Sequence, residues 1–217
     1  MDPRWPEESP EPRDLLIFPC NGNGVEALDC LGTAHRFLGF IDDTPAKQGT
    51  GPSGHPVFSR AALHQFPHAS VLAVPGGPAS YRARQGVIGG LSLEVHRFAT
   101  VIHPSAQVSP LATIGCNVLL MAGVVVTSNA VIGDHVCVLP NTVIHHDARI
   151  GVGTLIGSNA TVAGNTSIGE NCYIGSGSTI MNGLEIGDRT LVALGSNVIR
   201  SLPAESKVAG NPARQLR

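Results

Sequence analysis

Two periodicities in this 217-residue chain predict a small α/β sheet followed by an all-β solenoid. Over residues 14–101, short apolar runs alternate with helix-like stretches, the pattern of strands joined by crossovers in a parallel sheet. From 102 onward the period is six. Ile102, Val108, Ile114, Leu120, Val126, Ile132, Val138, Ile144, Ile150, Ile156, Val162, Ile168, Ile174, Ile180, Ile186, Val192 and Val198 occupy every sixth position without a break. With about a quarter of residues aliphatic, chance gives such a run on the order of 10⁻¹⁰ of the time. A six-residue period is that of a parallel β-helix built from hexapeptides.

The elements follow in chain order. Residues 1–13 (MDPRWPEESPEPR) are proline-rich and acidic and are expected to be a disordered tail carrying Trp5. Residues 15–18 read as a strand, 19–24 as a turn, 25–34 as a helix and 37–41 as a strand ending in Asp42-Asp43. A helix is expected over 61–66, a strand over 71–74, a turn at Pro75-Gly76-Gly77-Pro78, a helix over 79–88 and a strand near 98–101. The expected organisation is therefore a Rossmann-like domain over 14–101, a β-helix over 102–200 and a C-terminal tail over 201–217.

In the solenoid each hexapeptide makes one strand and one turn, and three make a triangular coil. The aliphatic residue points inward and stacks on its equivalents ~4.8 Å away. The small residue two places earlier (Ala112, Ala130, Thr142, Ala148, Ala160, Cys172) fills the corner, and the glycine just after the inward position (Gly115, Gly133, Gly151, Gly157, Gly169, Gly175, Gly187) is expected to relieve a positive φ. No insertion breaks the period, so no long loop leaves the prism.

Composition excludes several function classes. A net charge of −2 gives no electrostatic reason to expect nucleic acid or a membrane surface. No apolar run approaches the ~18 residues of a membrane helix, and no signal peptide opens the chain. Five cysteines, an odd count without a Cys-x-x-Cys pair, point to reduced thiols and a cytoplasmic protein. Cys172 reads as a core residue.

A glycine-bearing turn between strand and helix, with an acid closing the second strand, is the layout of the mononucleotide-binding half of a Rossmann sheet. Amides at the helix start can hold a diphosphate while the acid reaches a ribose or base. Asn21, Gly22, Asn23, Asp42 and Asp43 are the candidates; an ordinary surface turn accounts for 21–24 equally well. Roughly ninety residues are too few for a full dinucleotide fold.

Among nine histidines, the segment NTVIHHDARIG stands out. His145, His146 and Asp147 fall in a turn and point outward, and Gly164 lies eighteen residues on, at the same corner one coil away. A histidine beside a carboxylate and an open backbone amide can serve as base, base-orienter and oxyanion donor; an exposed His-His-Asp turn is the plain alternative. An unperturbed histidine titrates near ~6.5, which suits a base at neutral pH. A zinc site like that of the γ-class carbonic anhydrases needs a His-x4-His pair that the prism lacks, so no metal is expected.

Residues 14–217 resemble the bacterial nucleotide-sugar acetyltransferases of the sialic acid O-acetyltransferase type, a group that includes enzymes that N-acetylate UDP-linked 4-amino sugars and GDP-perosamine. The likeness rests on the short α/β domain, the opening IHPSA (102–106), the uninterrupted hexapeptides, the His-acid pair and the closing AGNPAR (209–214). It implies a left-handed β-helix, a homotrimer with active sites between subunits, acetyl-CoA as donor and a nucleotide sugar as acceptor. His146 becomes the general base with Asp147 its partner, and His145 a bystander. Gly164, Ser176 and Leu194 become main-chain contacts of acetyl-CoA. Some members carry at the position of Leu155 a second histidine near the thioester; here it is leucine. The family's N-terminal turn reads Gly-x-x-Gly-His-Gly or close to it, whereas Pro19-Cys20-Asn21-Gly22-Asn23-Gly24 lacks the first glycine and the histidine. The alternatives are O-acetylation of a free sugar such as sialic acid, and a non-catalytic β-helix scaffold. Sequence alone does not choose between an amine and a hydroxyl acceptor, since both need the same base.

Overall fold

The computed structural model describes residues 11–216. Most of the tail expected over 1–13, Trp5 included, lies outside the described residues; Arg13 already opens the first strand. Strands β1 (Arg13–Phe18), β2 (His35–Ile41), β3 (Gly49–Thr50), β4 (Pro56–Phe58) and β5 (Ser70–Ala73) form one sheet in the order β3-β4-β2-β1-β5. All neighbours are parallel except β3, which runs against β4. The chain leaves β1 toward β2 and later returns on the other side of β1 as β5. The loops that follow β1 and β5 therefore diverge and leave a crevice at the strand ends, where open α/β sheets bind ligands.

Several elements differ from expectation for local reasons. The first helix starts early and is short, α1 (Gly22–Glu26), continuing as a 3₁₀ turn, Ala27–Cys30. Asn21 caps it, its side-chain oxygen accepting the Gly24 amide at 2.8 Å. A second helix, α2 (Ala62–Gln65), lies between β4 and β5, and α3 (Arg84–Gly89) follows a 3₁₀ turn, Tyr81–Ala83. No strand forms over 98–101: Phe98 makes one bridge to Val71, and Val101 passes into the solenoid. The edge strands β3 and β4 were not anticipated, being short and flanked by proline and glycine.

Seventeen two-residue strands follow, from β6 (Val101–Ile102) to β22 (Asn197–Val198), one per hexapeptide. They stack as a left-handed parallel β-helix with three faces: the first holds β6 and every third strand after it, the second starts at β7 (Gln107–Val108) and the third at β8 (Thr113–Ile114). From Leu120 to Val198 every inward aliphatic is buried, whereas Ile102, Val108 and Ile114 are more open because no coil lies above them. Corner hydroxyls add a second stack inside the prism. Thr142 donates to the Gly157 carbonyl at 2.7 Å and accepts the Ala160 amide at 3.1 Å, and Thr154 does the same with Gly169 and Cys172. Burial pushes the Cys172 thiol up to about 11, as suits an inert core residue.

The glycine expectation needs correction. Positive φ falls three residues after each inward position, without a break from Asn117 to Gly195, and those places hold Asn, Gly, Asp, His or Arg. Asn and Asp tolerate this left-handed region best after glycine. The glycine one place after the inward residue is there for space: a Cβ at Gly133 would come 2.9 Å from the Ile150 carbonyl, and one at Gly175 would strike the Leu194 amide.

The first face is covered by the α/β sheet. Its outward residues Leu119, Cys137 and Leu155 are buried against Leu15, Ile17, Phe40 and Leu72, with Met121 in the same cluster. On the third face the corresponding residues Thr113, Val131, Arg149, Ser167 and Glu185 stay partly or fully exposed. The stretch expected as a C-terminal tail, 201–217, instead extends the prism. Strand β23 (Lys207–Gly210) pairs parallel with β21 (Leu191–Val192), and β24 (Ala213–Gln215) folds back on it. Val192 pairs with Val208 and Ile186 with Leu202, a step two residues short of the eighteen-residue coil, so the period slips there.

Candidate active site

His146 and Asp147 stand in the turn between β13 (Val143–Ile144) and β14 (Arg149–Ile150), at the corner joining the second and third faces. The turn is fixed on both sides: the Asp147 amide donates to Ser128 of the previous coil at 3.0 Å, and the His146 carbonyl accepts the Asn165 amide of the next at 3.0 Å. Asp147 takes the left-handed φ of 59°, as its position in the repeat demands. That conformation swings its carboxylate to the imidazole, with Oδ2 2.8 Å from His146 Nδ1. The other oxygen, Oδ1, accepts the Asn129 amide at 3.1 Å. The His146 ring first, then Asn129, holds the Asp147 carboxyl below the usual carboxylate range. A charged carboxylate only accepts, so Nδ1 of the neutral ring carries the hydrogen and Nε2 keeps its lone pair.

That nitrogen faces Gly164. A Cβ built on Gly164 would lie 2.6 Å from His146 Nε2, so only glycine leaves the ring its place. Among the described residues the Gly164 amide donates to no acceptor, while its carbonyl takes the Gly183 amide at 3.0 Å. An imidazole, a carboxylate and a free amide therefore meet at one corner. His145 is half-buried on the second face and makes no side-chain hydrogen bond among the described residues. Asn129 was not singled out in the sequence, although its place eighteen residues before Asp147 marks it as a neighbour in the stack.

Ser176 and Leu194 lie one above the other on a different corner, joining the first and second faces, in the turns before β19 (Thr179–Ile180) and β22. Leu194 is 72% exposed, and Met181 and Ile199 on the second face are also exposed. The structure does not bring Leu155 to either corner. Its side chain is 2% exposed in the seam beneath the α/β sheet, because nine residues after His146 the chain has turned to the first face.

In the sheet, Asn21 is occupied as the α1 cap, Gly22 is open and Asn23 half-buried. Asp42 is buried and accepts from the Thr44 amide and Lys47 Nζ, each at 2.9 Å. Burial opposes its ionisation, but these donors hold its carboxyl below the ordinary range. Lys47 also donates to the Cys20 carbonyl at 2.9 Å, joining the acid to the turn after β1; the sequence reading passed over it. Asp43 accepts a two-pronged bond from Arg60, with contacts of 2.6–3.0 Å. A cavity of about 300 Å³ lies between the α1 segment and the prism, lined by Glu26, Asp29, His103, Met121, Pro140 and Ser158 among others. Among the described residues no three His, Cys, Asp or Glu side chains group as a metal site, and no helix is long and apolar enough to cross a membrane.

The family described as bacterial transferase hexapeptide (six repeats) matches residues 111–146, 129–164, 147–182 and 165–199. A search of curated proteins gives no match. Among solved structures, the acetyltransferase domain of PglB from Neisseria gonorrhoeae FA1090 is 29% identical, covers 94% of this chain and 100% of its own, and superposes with a TM-score of 0.81; it has also been solved with acetyl coenzyme A. PerB from Caulobacter crescentus, in complex with CoA and GDP-perosamine, is 26% identical over 94% of this chain and 97% of its own, TM-score 0.82. WeeI from Acinetobacter baumannii AYE is 26% identical over 94% and 99%, TM-score 0.81. These likenesses span the sheet as well as the prism. Residues 111–199 match the hexapeptide transferase family, and the chain is similar over both sheet and prism to these solved acetyltransferases; it is an acyltransferase.

Proposed function

We propose that the chain transfers acetyl from acetyl-CoA to an amino group of a nucleotide-linked sugar, with His146 as general base. The observation that carries this is the His146–Asp147 pair with its free Nε2 against the unengaged Gly164 amide. His146 Nε2 takes a proton from the sugar amine as its nitrogen bonds to the thioester carbonyl carbon. The carbonyl oxygen becomes an oxyanion facing the Gly164 amide, and Asp147 stabilises the imidazolium. The C–S bond then breaks, and the proton on His146 goes to the departing CoA sulfur.

The site needs more than one copy. Ser176 and Leu194, the proposed wall for the pantetheine arm, occupy a corner separated from His146 by the second face of the same prism. Three prisms arranged about an axis bring one copy's His146 corner to its neighbour's Ser176 corner, and the exposed Met181 and Ile199 on the second face suit such an interface. The crevice beyond β1 and β5, with Asp42 and Lys47 at its rim, is the proposed nucleotide site; the 300 Å³ cavity lies between the α1 segment and the Ser176 corner, a fitting place for the sugar.

The test is release of CoA thiol from acetyl-CoA with a panel of UDP-, GDP- and dTDP-linked amino sugars. Release with at least one of them, and an acetamido product by mass spectrometry, is the expected result. Release with free sialic acid alone overturns the nucleotide-sugar acceptor.

A further inference from the structure

Among the described residues one arginine is buried without an acid. Arg84, at the start of α3, is 1% exposed, and its guanidinium donates to three main-chain carbonyls. Nε reaches Gly153 at 2.8 Å and Nη2 reaches His135 at 2.8 Å, two residues stacked one coil apart on the corner joining the third and first faces. Nη1 reaches the carbonyl of Pro75, in the loop that follows β5. Among the described residues no carboxylate shares this charge, so carbonyl dipoles replace its water. A buried, multiply bonded cation of this kind strongly favours one arrangement of the groups around it.

The neighbouring contacts tie the same two parts together. The Ala73 amide donates to Asn117 Oδ1 at 2.7 Å and Asn117 Nδ2 donates to the Ala73 carbonyl at 2.9 Å, so the end of β5 is clamped to the coil above His135. Gly76 adopts φ 103°, and a Cβ there would lie 2.8 Å from Arg84 Cγ, so the loop hugs the arginine stem. The Gly76 and Gly77 amides donate to no acceptor among the described residues. This loop forms one wall of the crevice between β1 and β5. The opposite wall, residues 19–24, is held from the sheet side by Lys47.

We propose that Arg84 is a positioning residue: it fixes the Pro75–Gly77 wall of the nucleotide crevice to the prism, so that the bound diphosphate is held in register with the transfer corner. This rests on the nucleotide-sugar reading above. The arginine contacts no ligand itself. It acts by presenting two free amides at a set height along the coils.

The test compares wild type with Arg84→Lys, which keeps the charge but cannot span three carbonyls. Binding of UDP, GDP and dTDP, and separately of CoA, is measured by titration calorimetry, and amide exchange is followed over the loop. Losing one or two charged hydrogen bonds predicts weaker nucleoside diphosphate binding by about ten- to a hundredfold. CoA affinity and assembly mass should be unchanged, and exchange should rise at Gly76 and Gly77 but not in the prism. Equal weakening of nucleotide and CoA, or unchanged exchange in the loop, overturns the positioning role. A wild type that binds none of the three diphosphates, with the exchange difference intact, overturns the nucleotide reading and with it the function assigned to the clamp. Arg84→Met, which keeps the stem and removes every donor, should exceed the lysine variant in exchange; the reverse order also contradicts the proposal.

Discussion

His146→Ala is expected to lower turnover by roughly 10²–10⁴-fold, the usual worth of a general base, with substrate binding and assembly kept. The half-exposed ring packs against Gly164 and supports no core residue, so its removal leaves the prism intact. His145→Ala should cost far less, because that ring has no polar partner among the described residues. Asp147→Asn should fall between them: the amide keeps the shape of the carboxylate and loses the charge that favours the imidazolium. Wild-type activity should fall as acid protonates the imidazole. Because His146 and Asn129 hold the Asp147 carboxyl below the ordinary carboxylate range, the carboxylate stays charged while the base is lost, and the acid limb belongs to histidine. Steady-state rates of the four proteins across pH check all of this; a reversed order of His145 and His146 would shift the assignment by one residue.

Ile156→Asp is expected to abolish the soluble assembly. Ile156 is fully buried and stacks between Val138 and Ile174 in neighbouring strands. A carboxylate there meets only aliphatic neighbours and costs several kcal/mol, a large share of the ~5–15 kcal/mol by which domains are stable. Ile102→Asp, at the open end of the stack, should be tolerated. Light scattering and thermal melting of the two variants read the contrast, and equal behaviour would mean the stack is not what holds the prism.

The prism was legible because its one rule repeats: a residue's role follows from its number modulo six, and its neighbours from steps of eighteen. That arithmetic sets His146 beside Gly164 and Ser176 next to Leu194 in the stack. It also contains Asn129 one coil before Asp147 and the apolar row Val101, Leu119, Cys137, Leu155 and Tyr173 that seats the α/β sheet. Leu155 belongs to that row because a step of nine from His146 changes face. The C-terminal strands escaped because the step from Val192 to Val208 drops two residues. In the sheet no such rule operates. Asn21 reads equally as a phosphate contact or as part of an ordinary surface turn, and the structure uses it as a helix cap. Arg84, on the short helix α3, was not singled out in the sequence. Only the docking of that helix on the prism, at a distance in sequence of 69 residues from Gly153, makes it a buried clamp.

In the proposed reaction His146 of one copy serves a donor held on the Ser176 corner of its neighbour. Subunit mixing tests it most directly. His146→Ala loses the base, and Ser176→Trp fills the proposed pantetheine wall; each alone should be inactive. Co-expressed, the two chains form mixed assemblies in which an intact His146 corner meets an intact Ser176 corner across an interface, and acetyl-CoA thiol release should return to a measurable fraction of wild type. If mixed assemblies form, as shown by differently tagged chains purifying together, and activity stays absent, the site lies within one chain and the account is contradicted.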